Sequence, residues 1–289
     1  MINTYGKVIN NAQIKNYTTY KLDGKIKKVI VPDNLDNLIK LLKYLKQNKI
    51  KHKVIGNGSN LIFLKDYDGI IIKLDNFKDI IIEDNIVTVG SGYNLVRLAL
   101  KTAKLGLSGL EFASGIPGTI GGAIYMNAGA YKKSMSDIVK EITVLDNKFE
   151  IKKIKAKDLN FSYRHSLLKE KNYICLSATL KLENKNPEEI LDLIKERKER
   201  RKQTQPLNYP SAGSVFRNPK DDFAGRLIEE LGLKGFKVGD AMISKKHANF
   251  IINTGNANGQ DIKKLIKIIQ RKVKKEYNIE LILEQEYVE

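Results

Sequence analysis

The chain of 289 residues contains a single cysteine, Cys175, and only three histidines. With one cysteine, no disulfide can form within the chain, and we expect a reducing compartment. Histidine and cysteine are too scattered for metal-ligand spacing, so we expect no metal site. No apolar run approaches the roughly 20 residues that span a bilayer, and the first residues lack the apolar core of a signal peptide. These absences predict a cytoplasmic protein without membrane insertion.

Acidic residues are also few relative to basic ones: 33 Asp and Glu face 51 Lys and Arg, for a net charge of +18. Such an excess is compatible with nucleic-acid binding or with attraction of small anionic molecules. Nucleic-acid binding predicts a concentrated cationic stripe with stacking aromatic residues. The lysines are dispersed instead, and the densest cluster, residues 195–202, is interleaved with glutamate. We therefore expect the protein to bind small anionic molecules. We expect it to bind no nucleic acid and to need no obligate protein partner.

Hydrophobic periodicity predicts a mixture of helices and short strands. The predicted helices cover residues 35–47, 95–105, 187–202, 225–231 and 261–277. The predicted strands cover residues 27–31, 52–55, 69–74, 80–82, 86–89, 138–145, 149–154, 173–182 and 279–283. Asn186 before Pro187 is typical of a helix start. The pattern predicts an α+β fold, which we divide into lobes of residues 1–75, 76–186 and 187–289.

Two glycine-rich segments stand out, residues 56–61 and 106–131. Glycine costs conformational entropy, so its density in apolar surroundings indicates close approach of the backbone to a ligand such as a phosphate. Neither segment has the third glycine of the Rossmann fingerprint, and the chain has no P-loop motif. The pair predicts a dinucleotide held by two separate loops. Tight turns in a compact fold are the alternative for either loop alone.

Eight short segments occur in an order that resembles the UDP-N-acetylenolpyruvoylglucosamine reductase family. They are residues 56–60, 114–123, 126–131, 163–166, 205–207, 211–219, 231–235 and 244–250. The resemblance implies a two-lobed FAD-binding domain of the vanillyl-alcohol oxidase and para-cresol methylhydroxylase type. A smaller α+β C-terminal domain for the substrate would follow. The chain is similar to the shorter subtype, which lacks an inserted tyrosine-bearing loop.

The same resemblance implies FAD as cofactor, NADPH as hydride-donating co-substrate and a UDP-sugar enolpyruvyl ether as the substrate that is reduced. The FAD-binding residues are then expected in both glycine loops. They are Gly56, Asn57, Gly58, Ser59, Asn60, Leu61, Ser114, Gly115, Ile116, Pro117, Gly118, Thr119, Gly121 and Gly122.

Motif positions also imply the catalytic residues. Ser214 matches the proton donor, Arg164 the stabiliser of the enolate and Glu286 the catalytic glutamate. Strand alternation would place Glu284 and Glu286 on one face, so periodicity leaves that choice open and motif position favours Glu286. Further substrate contacts are expected from Tyr163, Arg217 and Asn218. The alternative within the superfamily is a flavin oxidase, which differs in the oxygen reactivity of its reduced flavin.

Overall fold

The computed structural model describes residues 2–289, without the side chain of Asn3. The chain divides into two compact units, each assembled from separate stretches of sequence. The described residues of the first unit are 2–9, 29–57 and 71–200, and those of the second are 10–28, 58–70 and 201–289. The three lobes proposed from the sequence stay a prediction.

The described residues form both helices and sheets, and the five-stranded sheet is antiparallel throughout, as expected of an α+β fold. The helices are α1 (Leu35–Gln47), α2 (Leu95–Lys104), α3 (Ile120–Tyr125), α4 (Leu167–Lys171), α5 (Pro187–Thr204), α6 (Ala224–Glu230) and α7 (Gly259–Tyr277). The strands are β1 (Gly6–Gln13), β2 (Lys25–Pro32), β3 (His52–Ile55), β4 (Leu61–Phe63), β5 (Tyr67–Lys73), β6 (Ile80–Glu83), β7 (Ile86–Gly90), β8 (Leu107–Ser108), β9 (Gly129–Ala130), β10 (Lys133–Ser134), β11 (Val139–Leu145), β12 (Ile151–Lys155), β13 (Ile174–Lys181), β14 (Glu183–Asn184), β15 (Lys237–Val238), β16 (Ala241–Ile243), β17 (Ile251–Asn253) and β18 (Glu286–Val288). The sheets have the orders β1-β2-β5-β3, β12-β11-β13-β7-β6 and β15-β16-β17, and β10-β9, β14-β8 and β18-β4 are two-stranded.

The core of the first unit lies against the five-stranded antiparallel sheet, in which β13 pairs with both β11 and β7. The short helix α3 packs on β13 and β7 and buries Ile120 and Ile124 in this core. Cys175, on β13, belongs to the same core, where burial raises the pKa of its thiol to about 12. This agrees with the role of a small core residue.

Local signals set the ends of the long helices. Asn34 caps α1 by accepting a hydrogen bond from the Asn37 amide, and the apolar positions of α1 are buried. Asn186 accepts from the Glu188 amide at 2.9 Å at the start of α5. The predicted helix over residues 35–47 is confirmed to the residue, and the predicted start at Pro187 is confirmed as well.

In the second unit, α7 packs against β4, β15 and β16. Apolar spacing predicts one stripe on this helix, of Ile262, Leu265, Ile266, Ile269, Val273 and Tyr277. The first five are buried, and Tyr277 at the end of the helix is half-buried. Strand β18 pairs in parallel with β4, so that Glu286 is opposite Leu61. No helix in the described part of the chain combines the length and apolar character that crossing a membrane requires.

The prediction of a last strand at residues 279–283 is wrong, because the final strand is β18. Within residues 279–283 only Leu283 forms a bridge, to Phe216. The Leu281 carbonyl instead accepts from the Gln270 side chain at 2.9 Å, and the Ile282 carbonyl accepts from the Arg217 amide at 2.9 Å. The β-branched and apolar pattern is present in the sequence. The backbone carbonyls nevertheless bond to the Gln270 side chain and the Arg217 amide rather than to a neighbouring strand.

Candidate active site

The first glycine loop, residues 56–60, connects β3 to β4 and is crowded by protein atoms. A Cβ on Gly56 would lie 2.5 Å from Thr119 Oγ1, and a Cβ on Gly58 would lie 2.0 Å from the Tyr17 carbonyl oxygen. Gly58 also has a φ of +62°, which favours glycine. Packing and backbone conformation therefore require both glycines, whatever ligand the loop binds.

The second glycine loop, residues 114–122, leads into α3. Thr119 caps this helix, since its Oγ1 accepts a hydrogen bond from the Gly122 amide at 3.4 Å. The Asn57 side chain donates to the Pro117 carbonyl at 3.3 Å. Within the first unit, the start of the first loop and the second loop are thus in contact, as a two-loop nucleotide cradle requires.

The second loop borders open space. Gly118 is buried, yet a Cβ there would meet no atom within 4 Å. In the described part of the chain, the amides of Gly115 and Thr119 donate to no protein acceptor. The buried Ser91 hydroxyl, which lies beneath Gly121, likewise has no hydrogen-bond partner among the described residues. The open space at Gly118, next to the unused Thr119 amide, fits the pyrophosphate of FAD.

Other residues expected to bind the cofactor already have protein partners. The Ser114 hydroxyl donates to the Glu111 carbonyl at 2.9 Å, and the Asn60 side chain donates to the Glu284 carbonyl at 3.1 Å. Leu61 begins β4. Each of these contacts holds the loop in place, and the cofactor contacts of the three residues stay predictions.

Arg164 lies in a short turn that we call the Arg164 hairpin (residues 162–165). Ser162 and His165 exchange backbone hydrogen bonds of 3.3 and 3.1 Å. At the tip, Arg164 has a φ of +58°, its Nη2 donates to the Gly129 carbonyl at 3.0 Å, and its guanidinium lies 5.0 Å from the centre of the Tyr163 ring. The ring is exposed. The turn therefore projects a fixed cation, with an aromatic ring beside it.

The end of α3 and the residues after it anchor this hairpin. The Ser166 hydroxyl donates to the Tyr125 carbonyl at 2.8 Å, and the buried Asn127 side chain donates to the Ser162 carbonyl at 3.0 Å. One short helix thus joins the second glycine loop to the hairpin. His165 Nε2 lies 2.7 Å from a Glu170 carboxylate oxygen, and this hydrogen bond lowers the pKa of Glu170.

Ser214 belongs to the second unit, in what we call the Ser214 segment (residues 212–217). One flank of the segment is fixed by Asn249, which is 3% exposed. The Asn249 side chain accepts from the Phe216 amide at 2.9 Å and donates to the Phe216 carbonyl at 2.8 Å. Its own carbonyl accepts from the Val215 amide at 2.9 Å. A buried asparagine thus holds three backbone groups beside Ser214.

The other flank is formed by residues 282–286. The Glu284 amide donates to the Val215 carbonyl at 2.8 Å, and the Glu286 amide donates to the Asn60 carbonyl at 2.9 Å. Between them, the Gln285 side chain donates towards the Ser214 carbonyl at 3.4 Å. The fold of the second unit therefore brings the chain at Glu286 beside the Ser214 segment.

Space is open next to Ser214. Gly213 has a φ of +74°, and a Cβ there would meet no atom within 4 Å. Ser214 itself is half-buried, as is Arg217. Asn218 is exposed, and its side-chain oxygen accepts from the Ala224 amide at 3.2 Å, at the start of α6. A ligand can approach this segment from the side of Gly213.

The structure thus brings Ser214 and Glu286 onto adjacent stretches of the second unit, while Arg164 and its hairpin belong to the first unit. Sequence reasoning gave no role to three residues that hold these groups: Asn127, Asn249 and Gln285. Asn127 and Asn249 lie within the motif segments 126–131 and 244–250, and Gln285 stands between two glutamates, where no local pattern marks it.

Comparison with known proteins covers almost the whole chain. The family model described as an FAD binding domain matches residues 26–155, and the model for the C-terminal domain of UDP-N-acetylenolpyruvoylglucosamine reductase matches residues 205–288. A relative named UDP-N-acetylenolpyruvoylglucosamine reductase from Caldanaerobacter subterraneus subsp. tengcongensis is 44% identical over 96% of this chain and 93% of its own length. One of the same name from Bacillus subtilis is 42% identical over 98% of this chain and 94% of its own.

A solved structure gives the same result. The crystal structure of UDP-N-acetylenolpyruvylglucosamine reductase from Thermus caldophilus superimposes with a TM-score of 0.82 at 35% identity, and 98% of each chain is covered. The expected fold, an α+β FAD-binding domain followed by a smaller α+β C-terminal domain, is confirmed. The chain belongs to the UDP-N-acetylenolpyruvoylglucosamine reductase family.

Proposed function

We propose that this chain is an FAD-dependent reductase that uses NADPH to convert UDP-N-acetylglucosamine enolpyruvate to UDP-N-acetylmuramate, a peptidoglycan precursor, in the cytoplasm. The observation that carries the proposal is the identity of 42–44% over nearly the full chain with relatives that bear the reductase name. The net charge of +18 supports it, since both NADPH and a UDP-sugar are strongly anionic.

FAD fits the second glycine loop, where open space at Gly118 is combined with the unused amide donors of Gly115 and Thr119. We propose that this loop holds the pyrophosphate, together with residues 56–60 of the first loop. When bound and reduced by NADPH, the flavin would supply the hydride that adds to the methylene carbon of the enolpyruvyl group. The protein then has to stabilise the enolate and protonate the neighbouring carbon.

We assign these two tasks to side chains of this chain. The Arg164 guanidinium is always charged and has a planar fork of donors that matches a carboxylate, so it would stabilise the enolate charge. The Ser214 hydroxyl would give its proton to the neighbouring carbon. The open space beside Gly213 leaves room for a substrate at Ser214. Glu286 would polarise the proton donor, and Tyr163, Arg217 and Asn218 would contact the substrate.

The proposal is tested by the absorbance spectrum of the purified protein, recorded without oxygen. After reconstitution with FAD, NADPH should bleach the flavin band, and UDP-N-acetylglucosamine enolpyruvate should restore it. Restoration by oxygen alone, with no response to the enolpyruvyl sugar, would identify an oxidase of the superfamily. A protein that takes up no FAD would refute the proposal.

A further inference from the structure

We infer that Gln285, with Tyr20 behind it, is a positioning residue that sets the Ser214 segment relative to Glu286. The inference rests on the proposed function for its catalytic meaning. Its structural part stands on contacts within the second unit alone. Gln285 is 3% exposed and directly precedes Glu286, and its side-chain amide faces the carbonyls of residues 212–214.

The Gln285 amide nitrogen faces three consecutive carbonyl oxygens. It lies 3.1 Å from that of Ala212, 3.3 Å from that of Gly213 and 3.4 Å from that of Ser214. An amide nitrogen has two hydrogens, which are shared among these three acceptors. Because Gly213 has a left-handed φ, the backbone turns just before Ser214. The Gln285 amide therefore holds the turn that orients the proposed proton donor.

Tyr20 fixes which way the Gln285 amide points. The Tyr20 hydroxyl is fully buried and donates to the Gln285 side-chain oxygen at 3.0 Å. Burial raises the pKa of Tyr20, so the hydroxyl keeps its proton and remains a donor. The side-chain oxygen of Gln285 is thereby held towards Tyr20, and the nitrogen is left for residues 212–214. Tyr20 is anchored in turn, since its carbonyl accepts from the Asn253 side chain at 3.1 Å.

Gln285 lies next to both proposed catalytic residues of the second unit, Ser214 and Glu286. Glu286 is the next residue after Gln285, and its amide donates a hydrogen bond to the Asn60 carbonyl at 2.9 Å. Ser214 is one of the three residues whose carbonyls the Gln285 amide faces. A displacement of about 1 Å of a catalytic group is enough to slow a reaction about 100-fold. Gln285 therefore acts on proton delivery through Ser214 and Glu286.

The test compares Gln285→Leu and Tyr20→Phe with the matched control Gln270→Leu. Gln270 is a half-buried glutamine of the second unit whose side chain, like that of Gln285, donates to a backbone carbonyl, that of Leu281 at 2.9 Å. Each FAD-loaded protein is mixed with NADPH and then with UDP-N-acetylglucosamine enolpyruvate, and the two flavin absorbance changes are timed separately. Amide hydrogen exchange of residues 211–218 and 283–287 is measured on the same proteins.

We expect Gln285→Leu to leave flavin reduction by NADPH unchanged and to slow reoxidation by the sugar about 10- to 100-fold. Tyr20→Phe, which keeps the glutamine, should slow the same step roughly 2- to 10-fold. Exchange at Val215 and Glu286 should become faster in Gln285→Leu, and Gln270→Leu should match the wild type in both flavin steps. If Gln285→Leu does not fold, Tyr20→Phe decides by the same criteria.

Wild-type reoxidation rates in Gln285→Leu, or equal slowing of both flavin steps, would overturn the inference. Unchanged exchange of residues 211–218 would overturn it as well. A wild-type enzyme that is not reoxidised by the enolpyruvyl sugar would instead refute the proposed function. Hydrogen exchange would still decide in that case whether Gln285 holds the Ser214 segment.

Discussion

The Arg164 hairpin and the Ser214 segment each present one proposed catalytic side chain, but they are built in different ways. In the hairpin, Ser162 and His165, three positions apart, exchange their backbone hydrogen bonds. The Ser214 segment takes its partners from distant sequence, since Asn249 is 33 positions from Phe216 and Gln285 is 71 from Ser214. The hairpin backbone therefore closes within four residues, and residues 125, 127 and 129 add one side-chain hydrogen bond each. The backbone of the Ser214 segment is held instead by partners from elsewhere in the second unit. The two regions should respond differently to substitution.

In the hairpin, the largest effect should come from Arg164→Met, which removes the cation and leaves the hairpin's backbone bonds in place. Loss of one positioned group that stabilises an anionic intermediate costs about 10²–10³ in rate. We expect that loss in flavin reoxidation by the enolpyruvyl sugar, with a fall in the free energy of unfolding of no more than about 0.5–1.5 kcal/mol, because the hydrogen bond from the Arg164 side chain to the Gly129 carbonyl is lost. Stopped-flow absorbance and urea denaturation measure the two. A larger loss of stability would break the contrast between the regions.

Asn249→Leu should act mainly on stability. The substitution leaves the buried amide and carbonyl of Phe216 without their partners, and each such group costs about 1–3 kcal/mol. We expect the free energy of unfolding to fall by about 2–4 kcal/mol, measured by urea denaturation of the apoprotein. A change of less than about 0.5 kcal/mol would mean that the segment does not depend on this distant side chain.

Ser166→Ala is the corresponding change at the anchor of the hairpin. It removes one hydrogen bond, from the Ser166 hydroxyl to the Tyr125 carbonyl, and should lower the free energy of unfolding by about 0.5–1.5 kcal/mol. The same urea titration therefore sharpens the comparison. If Ser166→Ala costs as much as Asn249→Leu, the hairpin is not the more local of the two structures.

The smallest effect should be the pH dependence of the contact between His165 and Glu170. The hydrogen bond to His165 lowers the pKa of Glu170, so its stabilisation is present above the ordinary glutamate pKa and is lost as the pH falls through the lowered value. Glu170→Gln removes this dependence. Wild type and variant should therefore differ at pH 7 and converge in melting temperature as the pH drops below about 4. A difference in melting temperature that stays constant as the pH falls from 7 into the acidic range would exclude the contact between His165 and Glu170 as its source.

Elements with strong local signals could be predicted from the sequence, and elements with distant partners could not. The helix over residues 35–47 follows from apolar spacing and the cap at Asn34. Strand β1 was missed because Gly6–Gln13 carries little apolar alternation, and residues 279–283 were assigned as a strand although their backbone partners lie on α7 and at Arg217. Periodicity does not reveal which partner a backbone group will find.

In the candidate site, too, residues with local sequence signals could be predicted and residues with distant partners could not. The glycine loops and the residues proposed for catalysis were found through motifs, which are local in sequence. Gly56 and Gly58 turned out to be required by contacts with Thr119 and Tyr17, which no local pattern reports. Gln285 and Asn249 were equally invisible as positioning residues, because their role depends on which distant carbonyl or amide they reach in the folded chain.

The most direct test of this account is the pair of flavin half-reactions in Ser214→Ala, timed without oxygen beside the wild type. A positioned acid contributes about 10²–10⁴ in rate, so reoxidation by UDP-N-acetylglucosamine enolpyruvate should slow by that factor while reduction by NADPH keeps its wild-type rate. Equal loss of both half-reactions, or wild-type reoxidation, would contradict the assignment of Ser214 as the proton donor.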